Sequence, residues 1–188
     1  MSSKHLHCML IAFALDASGA QDTLRERATP VASWNAALIE RERCTTKGGS
    51  CEVELLLQET NAAPRTLAKG MVGEFLVLER SRQVFLCEGS SALQTMGPVL
   101  VPLRGSMALL GSHPGYLRGC ALTGTGEEVL LVYSLVRSGR PYNLVRILDA
   151  GGRLIVERHL DEAGDVEFNV AGKTFHAHVP TPEAPAVR

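Results

Sequence analysis

Val129-Leu130-Leu131-Val132-Tyr133-Ser134-Leu135-Val136 is apolar on both alternations of a β-strand, with Ser134 the single polar interruption. Successive strand side chains point to opposite faces, so a strand with one wet face is polar at every second position. This stretch is not, and it reads as a central strand covered on both sides. The residues that follow carry strand signals at regular spacing: Glu128–Val136, Tyr142–Leu148, Arg153–Leu160, Val166–Val170 and Lys173–Val179. That spacing predicts an antiparallel meander. Within it Leu154, Val156 and Leu160 alternate with Arg153, Glu157 and His159, the pattern of a strand with one solvated face. Two turns share one design, Leu148-Asp149-Ala150-Gly151-Gly152-Arg153-Leu154 and Leu160-Asp161-Glu162-Ala163-Gly164-Asp165-Val166. Asp accepts hydrogen bonds from turn N–H groups and Gly takes the positive φ that a hairpin turn needs.

Upstream, Glu74–Leu78 and Gln83–Cys87 flank Arg80-Ser81-Arg82 as a hairpin. Between Ser90 and Gly126 the chain is cut by Pro98, Pro102 and Pro114, leaving short strands at Val99–Val101 and Met107–Leu110. Glu52–Gln58 is a further strand. Thr29–Arg43 reads as an amphipathic helix, with Thr29 as N-cap, Pro30 at the first helical position, and Val31, Trp34 and Leu38 near one face. Trp34 is the only tryptophan and is expected to anchor that helix. The predicted class is α+β, mainly β: an N-terminal amphipathic helix packed on an antiparallel sheet, as a sandwich or partly open barrel, with a C-terminal meander.

Residues 1–20 have the layout of an export signal. Lys4 supplies positive charge, Met9–Leu15 is a short apolar core, and Ser18-Gly19-Ala20 offers a cleavage point before Gln21. A single β-rich domain over 21–180 and a Pro-rich disordered tail over 181–188 follow. Losing Cys8 with the signal leaves Cys44, Cys51, Cys87 and Cys120, an even set suited to an oxidising compartment. Order and spacing favour Cys44–Cys51 as a local staple and Cys87–Cys120 across the irregular region, with the other two connectivities open. The abundance of Ala, Leu, Arg and Gly points to a GC-rich bacterial genome, and hence to the periplasm or secretion.

The formal net charge of −1, with acids and bases interspersed, gives no electrostatic footprint for nucleic acid or an anionic membrane. No apolar run after the signal reaches the ~20 residues that span a bilayer. His176 and His178 form the most metal-like pair, since His-x-His on a strand projects both rings to one side. Their partners would come from another strand, with Glu167 or Asp165 in reach, and the weight of the pattern is on a solvated face rather than a ligand set. His113 precedes Cys120 closely enough to raise a thiol nucleophile, but an even cysteine count favours disulfides. Gly105-Ser106 and Gly89-Ser90-Ser91 lack the flanking glycine of a nucleophile elbow, and Gly124-Thr125-Gly126 precedes a strand without a phosphate-loop lysine. The sequence therefore predicts no enzyme and no cofactor.

What remains is recognition. Tyr116, Arg118, Arg140 and Tyr142 are interface-type residues in or beside turns, and Ser138-Gly139-Arg140-Pro141-Tyr142 presents an Arg and an aromatic on a stiffened loop. The leading expectation is a periplasmic module that binds another protein, an inhibitor or immunity-type protein neutralising an exported toxic enzyme. A small-ligand or envelope-polymer binding module comes second, and a hydrolase with a metal at His176/His178 third. Oligomeric state has no signature in the sequence.

Overall fold

The computed structural model describes residues 23–45, 51–70, 74–88, 97–161, 163–170 and 173–182. The expected export segment with Cys8 lies outside them, as does most of the tail. The chain packs as two compact units with the boundary after Gly70. Among the described residues every regular element is a strand, apart from one short 3-10 turn. No helix among them is long and apolar enough to cross a membrane.

The first unit is an antiparallel meander of β1 (Thr23–Val31), β2 (Ala36–Cys44), β3 (Cys51–Glu59) and β4 (Arg65–Gly70) in sequential order. This overturns the helix over Thr29–Arg43. Thr29 and Pro30 end β1, the 3-10 turn Ala32–Trp34 reverses the chain with Asn35 at φ 52°, and Ala36–Cys44 is a strand. Helix propensity in Ala36-Ala37-Leu38-Ile39-Glu40 is a weak local preference, and pairing outweighs it. Nine residues of β2 match nine of β3 in unbroken register from Ala36↔Glu59 to Cys44↔Cys51, and that last pair is a disulfide with Cα atoms 4.0 Å apart. On the other side Arg25, Glu26 and Arg27 oppose Glu42, Arg41 and Glu40. Pro30 is tolerated because β1 is an edge strand.

One row of this sheet alternates in charge across all four strands, Glu26↔Arg41↔Glu54↔Lys69. Arg41 Nε lies 2.6 Å from the Glu26 carboxylate and Lys69 Nζ 2.6 Å from that of Glu54. The hydrogen bond from Lys69 holds the Glu54 carboxyl below its ordinary pKa against the opposing effect of burial. Leu55, Leu56 and Leu57 are all buried, so β3 is covered on both faces, and Trp34 is buried in the turn.

The second unit has three layers. β5 (Phe75–Leu78), β6 (Gln83–Leu86), β7 (Val99–Pro102) and β8 (Ala108–Leu109) form one sequential sheet. β9 (Tyr116–Leu122), β10 (Val129–Arg137), β11 (Arg140–Leu148) and β12 (Leu154–Leu160) form the second, and β13 (Gly164–Val170) pairs with β14 (Lys173–Val179) as a hairpin. The alternation of β10 is used in full. Val129, Leu131 and Tyr133 pack with Leu78, Phe85 and Leu100 of the first sheet, while Leu130 and Val132 pack with Val179 and Val166 of the hairpin. Cys87, just after β6, is bonded to Cys120 on β9, joining the two sheets through the core. The arrangement is a β-sandwich with a hairpin laid on its outer face. The turn after β11 follows the expected design: Asp149 accepts N–H bonds from Gly151 at 3.0 Å and Arg153 at 2.9 Å, and Gly152 sits at φ 78°.

Candidate functional site

β10 and β11 are joined by Ser138 and Gly139 alone, at φ 52° and 77°. Two successive positive φ values make the type I′ turn whose twist suits a tight hairpin. The closing register pair is Arg137↔Arg140, two exposed cations directly opposite one another. Like charges facing each other across a ladder are destabilising. Among the described residues neither arginine forms an ion pair. Next to them Tyr142 stacks on His159 of β12, with ring centroids 5.4 Å apart and planes inclined by 27°. Pro141, Tyr142, His159 and Asp161 line, with the two arginines, a cleft of about 330 Å³.

The position of these groups follows from the fold. Tyr142 is half-buried against the Leu135 side of the core, so its ring is held while its edge reaches the surface. Antiparallel pairing puts the start of β11 beside the end of β12, with Asn143 opposite Leu160, and this brings His159 and Asp161 to the cleft. Chemically the site offers an aromatic platform, two guanidinium groups without an ion pair among the described residues, and one carboxylate. It has the means to hold a planar or acidic side chain of a partner.

Of the sequence candidates, Arg140 and Tyr142 come together here, and His159, Asp161 and Arg137 complete the site. From sequence His159 reads as a residue of a wet strand face and Asp161 as a turn residue, and nothing local links either to Tyr142. Tyr116 and Arg118, with the guanidinium 6.0 Å from the Tyr116 ring centroid, start β9 at the same end of the sheet. They occupy the other face, because Leu117 between them lies opposite Tyr133 and packs on the same core cluster as Tyr142. Cys120 is in a disulfide and is no nucleophile. His113 instead meets Tyr133: its Nδ1 lies 3.1 Å from the phenolic oxygen and its Nε2 is buried without a hydrogen-bond partner among the described residues.

His176 and His178 project from one exposed face of β14, opposite Glu167 and Asp165 in register. His178 Nδ1 is 2.8 Å from the Asp165 carboxylate and His176 Nδ1 is 3.8 Å from that of Glu167. Glu42, Cys44 and Cys51 also lie close enough to suggest a metal, but the two sulfurs are joined to each other. No protein-family model, curated protein or solved structure matches the chain.

Proposed function

We propose that this chain is an exported protein-binding module, an inhibitor or immunity-type protein that neutralises a toxic enzyme by seating an acidic, partly planar segment of it on the β10–β11 tip. The observation that carries the reading is the facing pair Arg137 and Arg140, exposed and without ion pairs among the described residues, beside the Tyr142–His159 stack. Two cations held opposite each other weaken the free hairpin, and an anionic partner relieves that repulsion. Arg and Tyr on a stiff turn are also the residue types that dominate interfaces at low entropic cost. Export is supported by the two disulfides, which persist in oxidising compartments.

The test is capture of the bound enzyme from the native compartment at physiological salt, followed by titration of that enzyme against variants. Arg140→Ala and Tyr142→Ala should each weaken binding by about 2 kcal/mol, roughly 30-fold, the scale of an interface hot spot. Arg25→Ala in the first unit should leave it unchanged. Absence of any stoichiometric partner, or equal binding by the Arg140 and Tyr142 variants, sinks the reading.

A further inference from the structure

We propose that the exposed face of the β13–β14 hairpin binds a borderline divalent transition-metal ion such as Zn2+. The ligands are the Nε2 atoms of His176 and His178, with Asp165 orienting the His178 ring and Glu167 lying opposite His176. His176 and His178 are two residues apart on one strand, so both rings stand on the same face, about 7 Å apart at their Cα atoms. Each faces a carboxylate across the ladder, Glu167↔His176 and Asp165↔His178. Both contacts run through Nδ1, at 3.8 and 2.8 Å. A carboxylate that takes the Nδ1–H fixes the tautomer in which Nε2 carries the free lone pair, raises its basicity and steers it away from the backbone. That is the arrangement in which a histidine ligates a metal with a carboxylate behind it.

Here the Nδ1 hydrogen bond is made at His178, while the Glu167 carboxylate lies 3.8 Å from His176 Nδ1, in ion-pair range only, and all four side chains are exposed. Imidazole nitrogens select Zn2+, Cu2+ or Ni2+ over Ca2+ or Mg2+, which prefer oxygen, and Nε2 atoms about 2.0–2.1 Å from the ion leave positions for water. The Asp165 hydrogen bond leaves His178 Nε2 with its lone pair outward, and His176 on the same face supplies the second nitrogen. The site is separate from the arginine and aromatic cleft and does not rest on it.

The experiment is calorimetric titration of untagged, full-length protein with zinc chloride, repeated with copper(II) and read by electron paramagnetic resonance. Saturable binding of one ion per chain is expected, with nitrogen couplings in the copper spectrum. The double variant His176→Ala/His178→Ala should lose it, and Asp165→Asn should weaken it about 10-fold or more while keeping both histidines. All four positions are exposed, and unchanged melting of the metal-free variants confirms that the fold is intact. A wild type without saturable binding, or a double variant that binds zinc equally well, overturns the site. An Asp165→Asn variant with unchanged affinity overturns the orienting role.

Discussion

The buried Asn143 side chain donates a 2.6 Å hydrogen bond to the carbonyl oxygen of Pro180, tying the chain just beyond β14 to the centre of the β9–β12 sheet. Ser134, its register partner on β10, donates to the Asn143 carbonyl oxygen at 3.3 Å. Both amide atoms are thus used, and the Asn143 side chain is fully buried. Asn143→Ala should cost about 1–3 kcal/mol, because it leaves the Pro180 carbonyl and the Ser134 hydroxyl short of a partner. Urea unfolding measures the loss, and hydrogen exchange should show the amides of β14 less protected before those of β10. A variant as stable as wild type would show that the bond adds nothing to docking of the hairpin.

The two disulfides should differ in worth. Cys44–Cys51 closes a span of 7 residues and Cys87–Cys120 one of 33. If the bridges act mainly by restricting the unfolded chain, the shorter contributes roughly 2.5 kcal/mol and the longer nearly 4. Cys87→Ser/Cys120→Ser should also place hydroxyls in the core, since Cys87 is fully buried. Denaturation of the two double-serine variants under oxidising conditions checks the order, and a larger loss from the Cys44 and Cys51 pair would contradict it.

Arg41 stands between Glu26 and Glu54 in the charge row of the first sheet. Arg41→Glu replaces two attractive cross-strand pairs with two repulsive ones and should cost about 1–2 kcal/mol, given 0.2–1 kcal/mol per directly opposed pair. Adding Glu26→Arg should recover part of that loss, and raised salt should shrink the difference, as befits partly exposed charges. A double-mutant cycle on urea midpoints decides it, with zero coupling as the adverse outcome.

Thr29–Arg43 reads as a helix and is not one, Val129–Val136 reads as a strand and is one, and β9, Tyr116–Leu122, is a strand with no reading as one in the sequence. In Val129–Val136 the apolar run admits only a strand once its two-sided burial is recognised, and Asp149 with Gly152 marks the next turn by backbone chemistry that acts within a few residues. Thr29–Arg43 satisfies two codes at once: apolar residues near helical spacing, and a charge pattern in which Arg25-Glu26-Arg27 mirrors Glu40-Arg41-Glu42 across a turn. Neither code includes β3, whose nine-residue match to β2 fixes the strand. The recognition site divides the same way. Arg140 and Tyr142 belong to one loop and were legible, whereas His159 and Asp161 arrive through the β11–β12 register, and Tyr116 is turned to the opposite face of its sheet.

Stability should fall on both the acid and alkaline sides because burial shifts the titration of two neighbouring groups, His113 and Tyr133. Burial lowers the pKa of His113 from 6.5, against a weaker opposing pull from Glu88, so the folded chain keeps the imidazole neutral. Below pH 6.5 the unfolded chain takes up a proton that the folded chain resists, and stability declines as pH falls; above 6.5 this contribution is fully present. Tyr133 works in the other direction. Burial pushes its hydroxyl from 10.0 up to about 12, so above pH 10 the unfolded chain ionises first and stability declines as pH rises. Urea midpoints measured across these windows should show His113→Gln flattening the acid slope and Tyr133→Phe the alkaline one. In wild type the last step of tyrosinate absorbance should come near 12 and be missing in Tyr133→Phe. An acid slope that survives His113→Gln would assign the effect to carboxylates elsewhere and leave the buried His113–Tyr133 pair with a packing role alone.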